Sequence, residues 1–102
     1  MESLNLQIAD KAKVLSGRAE GKSMRSILKL DERDNDEKIY EIKVPNVLSI
    51  TASYFLACFG NSVRFLGEDK FKEKYKFSTS NPSIEKNIRD GIKSALNLSM
   101  PF

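Results

Sequence analysis

Three hydroxyls alternate along one short stretch, at Ser49, Thr51 and Ser53, where a run of β-formers gives way to the most apolar segment of the chain. Val47, Leu48 and Ile50 follow Pro45-Asn46 and read as the end of a strand. Thr51 is the natural N-cap of a helix, because its hydroxyl can accept from an amide of the first turn that has no intrahelical partner. Ile50 before it and Phe55 after it have the spacing of a hydrophobic staple. The helix that follows contains Tyr54, Phe55, Leu56, Ala57, Cys58, Phe59 and Val63. A helix apolar on several sides is a buried one. Ser53 therefore falls in a first turn whose amide donors point outward. A phosphate there meets free N–H groups and the positive end of the helix macrodipole, so the position can receive an anion or a covalent phosphate with little rearrangement. The plainer reading is that the three hydroxyls only cap and solvate a helix start.

Other chemistry is narrowed by residue type. The chain has no histidine, which removes Ser-His and Cys-His nucleophilic pairs, imidazole bases and imidazole metal ligands. Its one cysteine, Cys58, lies in the apolar helix and reads as a small buried hydrophobe, with a reactive thiol as the functional alternative. Gly21-Lys22-Ser23 opens a helix as a phosphate-cradling loop would, but the glycine required five positions earlier is Ser16. Lys70, Lys72, Lys74 and Lys76 interleave with Phe71, Tyr75 and Phe77, a composition found where single-stranded nucleic acid binds. On an alternating strand, however, those aromatics belong to the core and the lysines to the outer face. The acidic run at residues 31–37 lacks the spaced oxygens, glycine and terminal glutamate of a calcium loop, so it reads as a solvated, mobile loop. No carboxylate pair is spaced for acid–base work, and no metal or cofactor site is expected.

These residues must be positioned by the elements around them. Leu4, Leu6 and Ile8 alternate with polar residues as a half-buried strand. Asp10-Lys11 turns the chain, and residues 12–15 form a second short strand paired with the first. Met24, Ile27 and Leu28 predict an amphipathic helix over residues 19–30, with Lys22, Arg25 and Lys29 elsewhere round the wheel. Tyr40, Ile42 and Val44 share one face of a strand that ends at Pro45. Gly67-Glu68-Asp69-Lys70 is a turn or a short helix start. Tyr75 and Phe77 mark a further strand beyond it. Asn81-Pro82 gives an N-cap followed by proline at the first helical position, and Ile84, Ile88, Ile92, Ala95 and Leu96 form the stripe of a last helix, locally weakened by Gly91. Strands and helices alternate, so crossover units are expected.

At this level a family resemblance is visible. Ser53-Tyr54-Phe55-Leu56, the Phe59-Gly60 pair and Val63-Arg64 resemble the signature of the STAS-like domain family of unknown function, a distant relative of the anti-sigma factor antagonists. Gly17-Arg18, Gly21 and Arg25 are similar to the glycine and arginine positions before the first helix in those relatives. The resemblance spans residues 15–96. It implies an α/β sandwich with a mostly parallel sheet of four to five strands and three main helices largely on one face. It also implies a serine at the Ser53 position that is phosphorylated by a partner kinase of the histidine-kinase-like ATPase type, and a loop, Gly17, Arg18 and Gly21, lying beside it.

One hundred and two residues make one domain, with residues 98–102 as a short tail. The balance of 17 basic and 14 acidic residues gives a net charge of +3, too mild to specify nucleic acid. The N-terminus lacks the basic and apolar regions of a secretory signal, and no run approaches a membrane span, so a cytoplasmic chain is expected; the resemblance implies a bacterial or phage one. The function that the resemblance implies is a non-catalytic regulatory protein-interaction module. It binds a signalling partner through Ser49, Thr51, Ser53 and Tyr54, with Ser53 modified or read by the partner. Two other classes compete: a nucleic-acid-associated or phage-defence accessory protein using the lysine-rich strand, and an enzyme using Ser53 or Cys58.

Overall fold

A computed structural model describes residues 1–7 and 13–98. Strands β1 (Glu2–Asn5), β2 (Val14–Leu15), β3 (Tyr40–Lys43), β4 (Ser49–Ile50) and β5 (Tyr75–Ser78) alternate with helices α1 (Arg18–Ile27), α2 (Leu30–Arg33), α3 (Ala52–Phe55), α4 (Asn61–Leu66), α5 (Glu68–Lys74) and α6 (Pro82–Asn97). The turn expected at Asp10-Lys11, the Ile8 end of the first strand and residues 99–102 of the tail lie outside the described residues.

The period of two seen in the sequence decides the first layer. β1, β3 and β5 form a parallel sheet in that order, with Leu4 opposite Ile42 and Ile42 opposite Phe77. Leu4, Tyr40, Ile42 and Tyr75 are buried on one face, while Ser3, Asn5, Lys43 and Lys76 stand exposed on the other. A sheet covered on one side alternates in this way.

The second strand departs from expectation. β2 pairs in parallel with β4, Leu15 opposite Ile50, and not with β1. The five strands thus form sheets of three and two instead of one sheet of four to five. The parallel pairing buries Leu15 and Ile50 side by side and delivers both strands into helix starts at the same end. A hairpin with β1 would offer neither.

α3, a π-helical turn at Leu56–Gly60 and α4 run on as one helical rod. The rod lies between α1 and α6 and is the centre of the core. Phe59 meets Phe55, Phe77 and Phe71 at ring-centroid separations of 5.4, 5.1 and 6.1 Å. Each such ring contributes about 1.5–3 kcal/mol by leaving water. On α6, Ile84, Ile88, Ile92 and Ala95 are buried as the stripe predicts, but Leu96 is exposed, one position past the inward row. Gly91 lets α6 lie close against the rod, since a Cβ there would sit 2.3 Å from Cδ1 of Phe55. What reads in the sequence as a weak point is a contact that only glycine permits.

The short helix start read at residues 67–70 opens a full helix, and part of the acidic run read as a loop is helical as well. α1 stops at Ile27, and Lys29 adopts a left-handed conformation (φ 54°, ψ 45°) that turns the chain into α2. α5 runs to Lys74 and passes directly into β5.

Candidate functional site

The start of the rod has the cap that the sequence predicts. Thr51 Oγ1 accepts from the Tyr54 amide at 3.3 Å and lies 3.3 Å from Ser53 Oγ. Ser53 is in the first helical turn and exposed, with Ser49 and Thr51 half-buried beside it. The Thr51 amide donates to the Leu15 carbonyl at 2.9 Å, which ties this helix start to the end of β2. The chain leaves β2 through Gly17, whose φ of 91° favours glycine, and enters α1 at the exposed Arg18. Thr51, Ser53, Gly17 and Arg18 therefore share one end of the molecule.

Two expected members of this face lie beneath it. Tyr54 is only 2% exposed, its ring turned into the core, because the third helical residue faces α1. Burial raises its phenol well above the ordinary range, and its hydroxyl has no partner among the described residues. Gly21 is not in a loop. It is buried inside α1, where a Cβ would come within 2.5 Å of the Tyr54 carbonyl oxygen and 2.8 Å of Ala57 Cβ. Its role is close helix packing.

A polar cluster that the sequence reading missed sits further along the rod. Arg25 is buried, and all five of its N–H groups are used. Nε and Nη2 donate to Asp31 Oδ1 at 3.1 and 2.6 Å, and Nη2 also donates to Asp34 Oδ2 at 3.1 Å. Nη1 donates to the Cys58 carbonyl at 2.8 Å and to Ser62 Oγ at 2.9 Å. Asp34 accepts further bonds from Ser62 at 2.7 Å and Tyr75 at 2.6 Å. The Cys58 carbonyl belongs to the π-turn, so the guanidinium occupies the place where the rod's regular ladder is interrupted. The acidic run expected to be a solvated, mobile loop is thus half helix, and its Asp34 is buried. One signal was available: Gly21, Met24, Arg25 and Leu28 fall at i, i+3, i+4 and i+7, which puts the arginine on the apolar stripe of α1.

The lysine-rich strand face does not form. Lys70 and Lys72 are exposed on α5, Lys76 is on β5, and Lys74 is buried. Lys74 Nζ donates to the carbonyls of Asp36 and Lys38 at 2.8 and 2.9 Å and to Asp36 Oδ1 at 2.6 Å. Burial pushes the Asp36 carboxyl up, but the bonds from Lys74, Tyr40 and the Lys38 amide outweigh it and hold it at about 2. Helix geometry separates residues two apart, so the alternation that would have lined up these lysines is lost before β5 begins.

Cys58 is fully buried in the π-turn. Burial pushes its thiol up to about 12, against a smaller pull downward from Arg25. At neutral pH it is a thiol and not a nucleophile. A thiol-directed disulfide reagent is expected to leave the native protein unlabelled and to label one equivalent only in denaturant. Stoichiometric labelling of the native protein on mixing would refute this.

A cavity of about 610 Å³ opens where the chain leaves β3 and β5, between Val44, Pro45, Asn46 and Val47 on one side and Ser78, Thr79, Ser80 and Asn81 on the other. Thr79 and Asn81 spend their side chains on the turn and on the cap of α6. Among the described residues no group of three or more carboxylate, thiol or imidazole side chains is placed to hold a metal ion, and no helix is long and apolar enough to cross a membrane. Comparison with protein-family models, curated proteins and solved structures finds no match to this chain.

Proposed function

We propose that this chain is a non-catalytic regulatory protein-interaction module of STAS-like type, resembling the anti-sigma factor antagonists, and that it works in the cytoplasm. The signalling partner docks at the end of the molecule formed by Ser49, Thr51 and Ser53, with Gly17 and Arg18 beside them. Ser53 is the residue that is phosphorylated or read. The observation that supports this is the exposure of Ser53 in a first helical turn whose next residues, Tyr54 and Phe55, are buried. A hydroxyl so placed is open to a kinase, and the phosphate it receives lies at the positive end of the rod. The resemblance supplies the class of partner, a histidine-kinase-like ATPase.

The test compares Ser53→Asp with Ser53→Ala in pull-downs from cell extract, with mass spectrometry scoring phosphate on Ser53 and the protein retained. Ser53→Asp is expected to change retention of the partner by about fivefold or more, roughly 1 kcal/mol, and Ser53→Ala by less. Equal retention by both variants reduces the serine to a helix cap.

A further inference from the structure

Two departures from regular structure adjoin the residues of one cleft, and a buried charged cluster lies beneath it. The rod widens into its π-turn at Leu56–Gly60, Lys29 is left-handed, and a buried charged cluster joins Arg25, Asp34, Ser62 and Tyr75. π-turns and strained backbone are over-represented where proteins bind ligands. Above the cluster lies a cleft of about 330 Å³ lined by Arg25, Asp31, Asp34, Asn35, Asn61 and Phe65. Phe65 is 62% exposed, on the solvent side of α4.

The hydrogen-bond inventory decides what this cleft takes. Arg25 has no donor left, so it cannot receive an anion without breaking the cluster beneath it. The charged capacity that remains free is accepting. Asp31 is 85% exposed at its side chain, and its Oδ2 has no partner among the described residues. Asn35 gives one amide N–H to the Asp31 carbonyl and keeps its oxygen and second N–H, and the Asn61 amide, unbonded among the described residues, offers an oxygen and two N–H groups. Arg25, Asp31 and Asp34 together leave one net negative charge. Acceptors, a negative charge and an exposed aromatic face suit a planar cation with many donors. A guanidinium stacks on such a ring while its several N–H groups reach Asp31 Oδ2 and the amide oxygens beside it, which a compact ammonium does less well.

The geometry points to this cleft as a receptor for an arginine side chain presented by a partner protein, with Phe65 as the stacking platform and Asp31 as the charged acceptor. It is a second contact surface, on the order of 18 Å along the rod from Ser53, and it does not depend on the role given to that serine.

The test is a titration of the isotope-labelled full chain with acetyl-Gly-Arg-Gly-amide, followed by amide chemical shifts. Matched peptides carrying lysine or citrulline, and free arginine, are run beside it. The arginine peptide is expected to shift the amides of Asn35, Asn61 and Phe65. Phe65→Ala, which lies outside the core, should weaken binding about three- to fivefold, and the citrulline peptide should not bind. Ser53→Asp should leave the titration unchanged, so this reading and the regulatory one fail separately. The assignment is overturned if those amides do not move, if Phe65→Ala binds as well as the native chain, or if citrulline matches arginine. Free arginine binding more tightly than the peptide overturns the protein-borne source.

Discussion

Asp34→Ala is expected to destabilise the fold by about 3–5 kcal/mol, measured as a lowered urea midpoint with an unchanged slope. The side chain is buried and accepts from Arg25, Ser62 and Tyr75. Its removal leaves two hydroxyls and part of a guanidinium in the interior without their acceptor. Breaking a buried pair costs far more than the pair contributes on balance, because the abandoned charge keeps its desolvation penalty. Domains of this size are stable by about 5–15 kcal/mol in total, so the variant approaches the unfolding threshold. Asp31→Ala supplies the contrast. That carboxylate also binds Arg25, at 2.6 Å, but from the solvent side, and water replaces it at a cost of about 1 kcal/mol or less. If the two variants lose stability equally, the cluster is not the buried pin described above.

Gly21→Ala is expected to cost about 1–2 kcal/mol, against the trend for glycine within helices. Helix propensity alone favours the alanine by about 1 kcal/mol. The added methyl, however, meets the Tyr54 carbonyl oxygen at 2.5 Å and Ala57 Cβ at 2.8 Å. Neither is the loose end of a flexible side chain, so α1 must move off the rod, and overpacking of this kind costs about 1–3 kcal/mol before other contacts are lost. Because α1 and α3 begin side by side, the same shift should broaden or displace the amide resonances of Thr51 and Ser53. A stability gain of about 1 kcal/mol would show that propensity wins and that the two helices are not in such close contact.

Much of the path to these features was legible beforehand. Thr51 and Asn81 cap helices because a short hydroxyl or amide side chain satisfies an orphan amide locally, whatever lies around it. The faces of β3 and β5 followed from alternation, and the inward row of α6 followed from its spacing up to Ala95. The lysines misled for a related reason. An alternating pattern over residues 70–77 fits a strand, but α5 covers its first half and turns Lys74 onto Asp36.

By itself the sequence determined where elements begin, which face of each is apolar, and that an exposed serine opens a buried helix. Those are consequences of side chains acting on their own few neighbours. The tertiary structure alone decided that β2 joins β4, that Gly21 and Gly91 are points of helix contact, and that Asp34 lies inside with Arg25. Each of these matches groups separated by nine to about forty positions. Local propensity carries no information about which distant acceptor will meet a buried donor; only the assembled core, which must leave few polar groups unpaired, selects it.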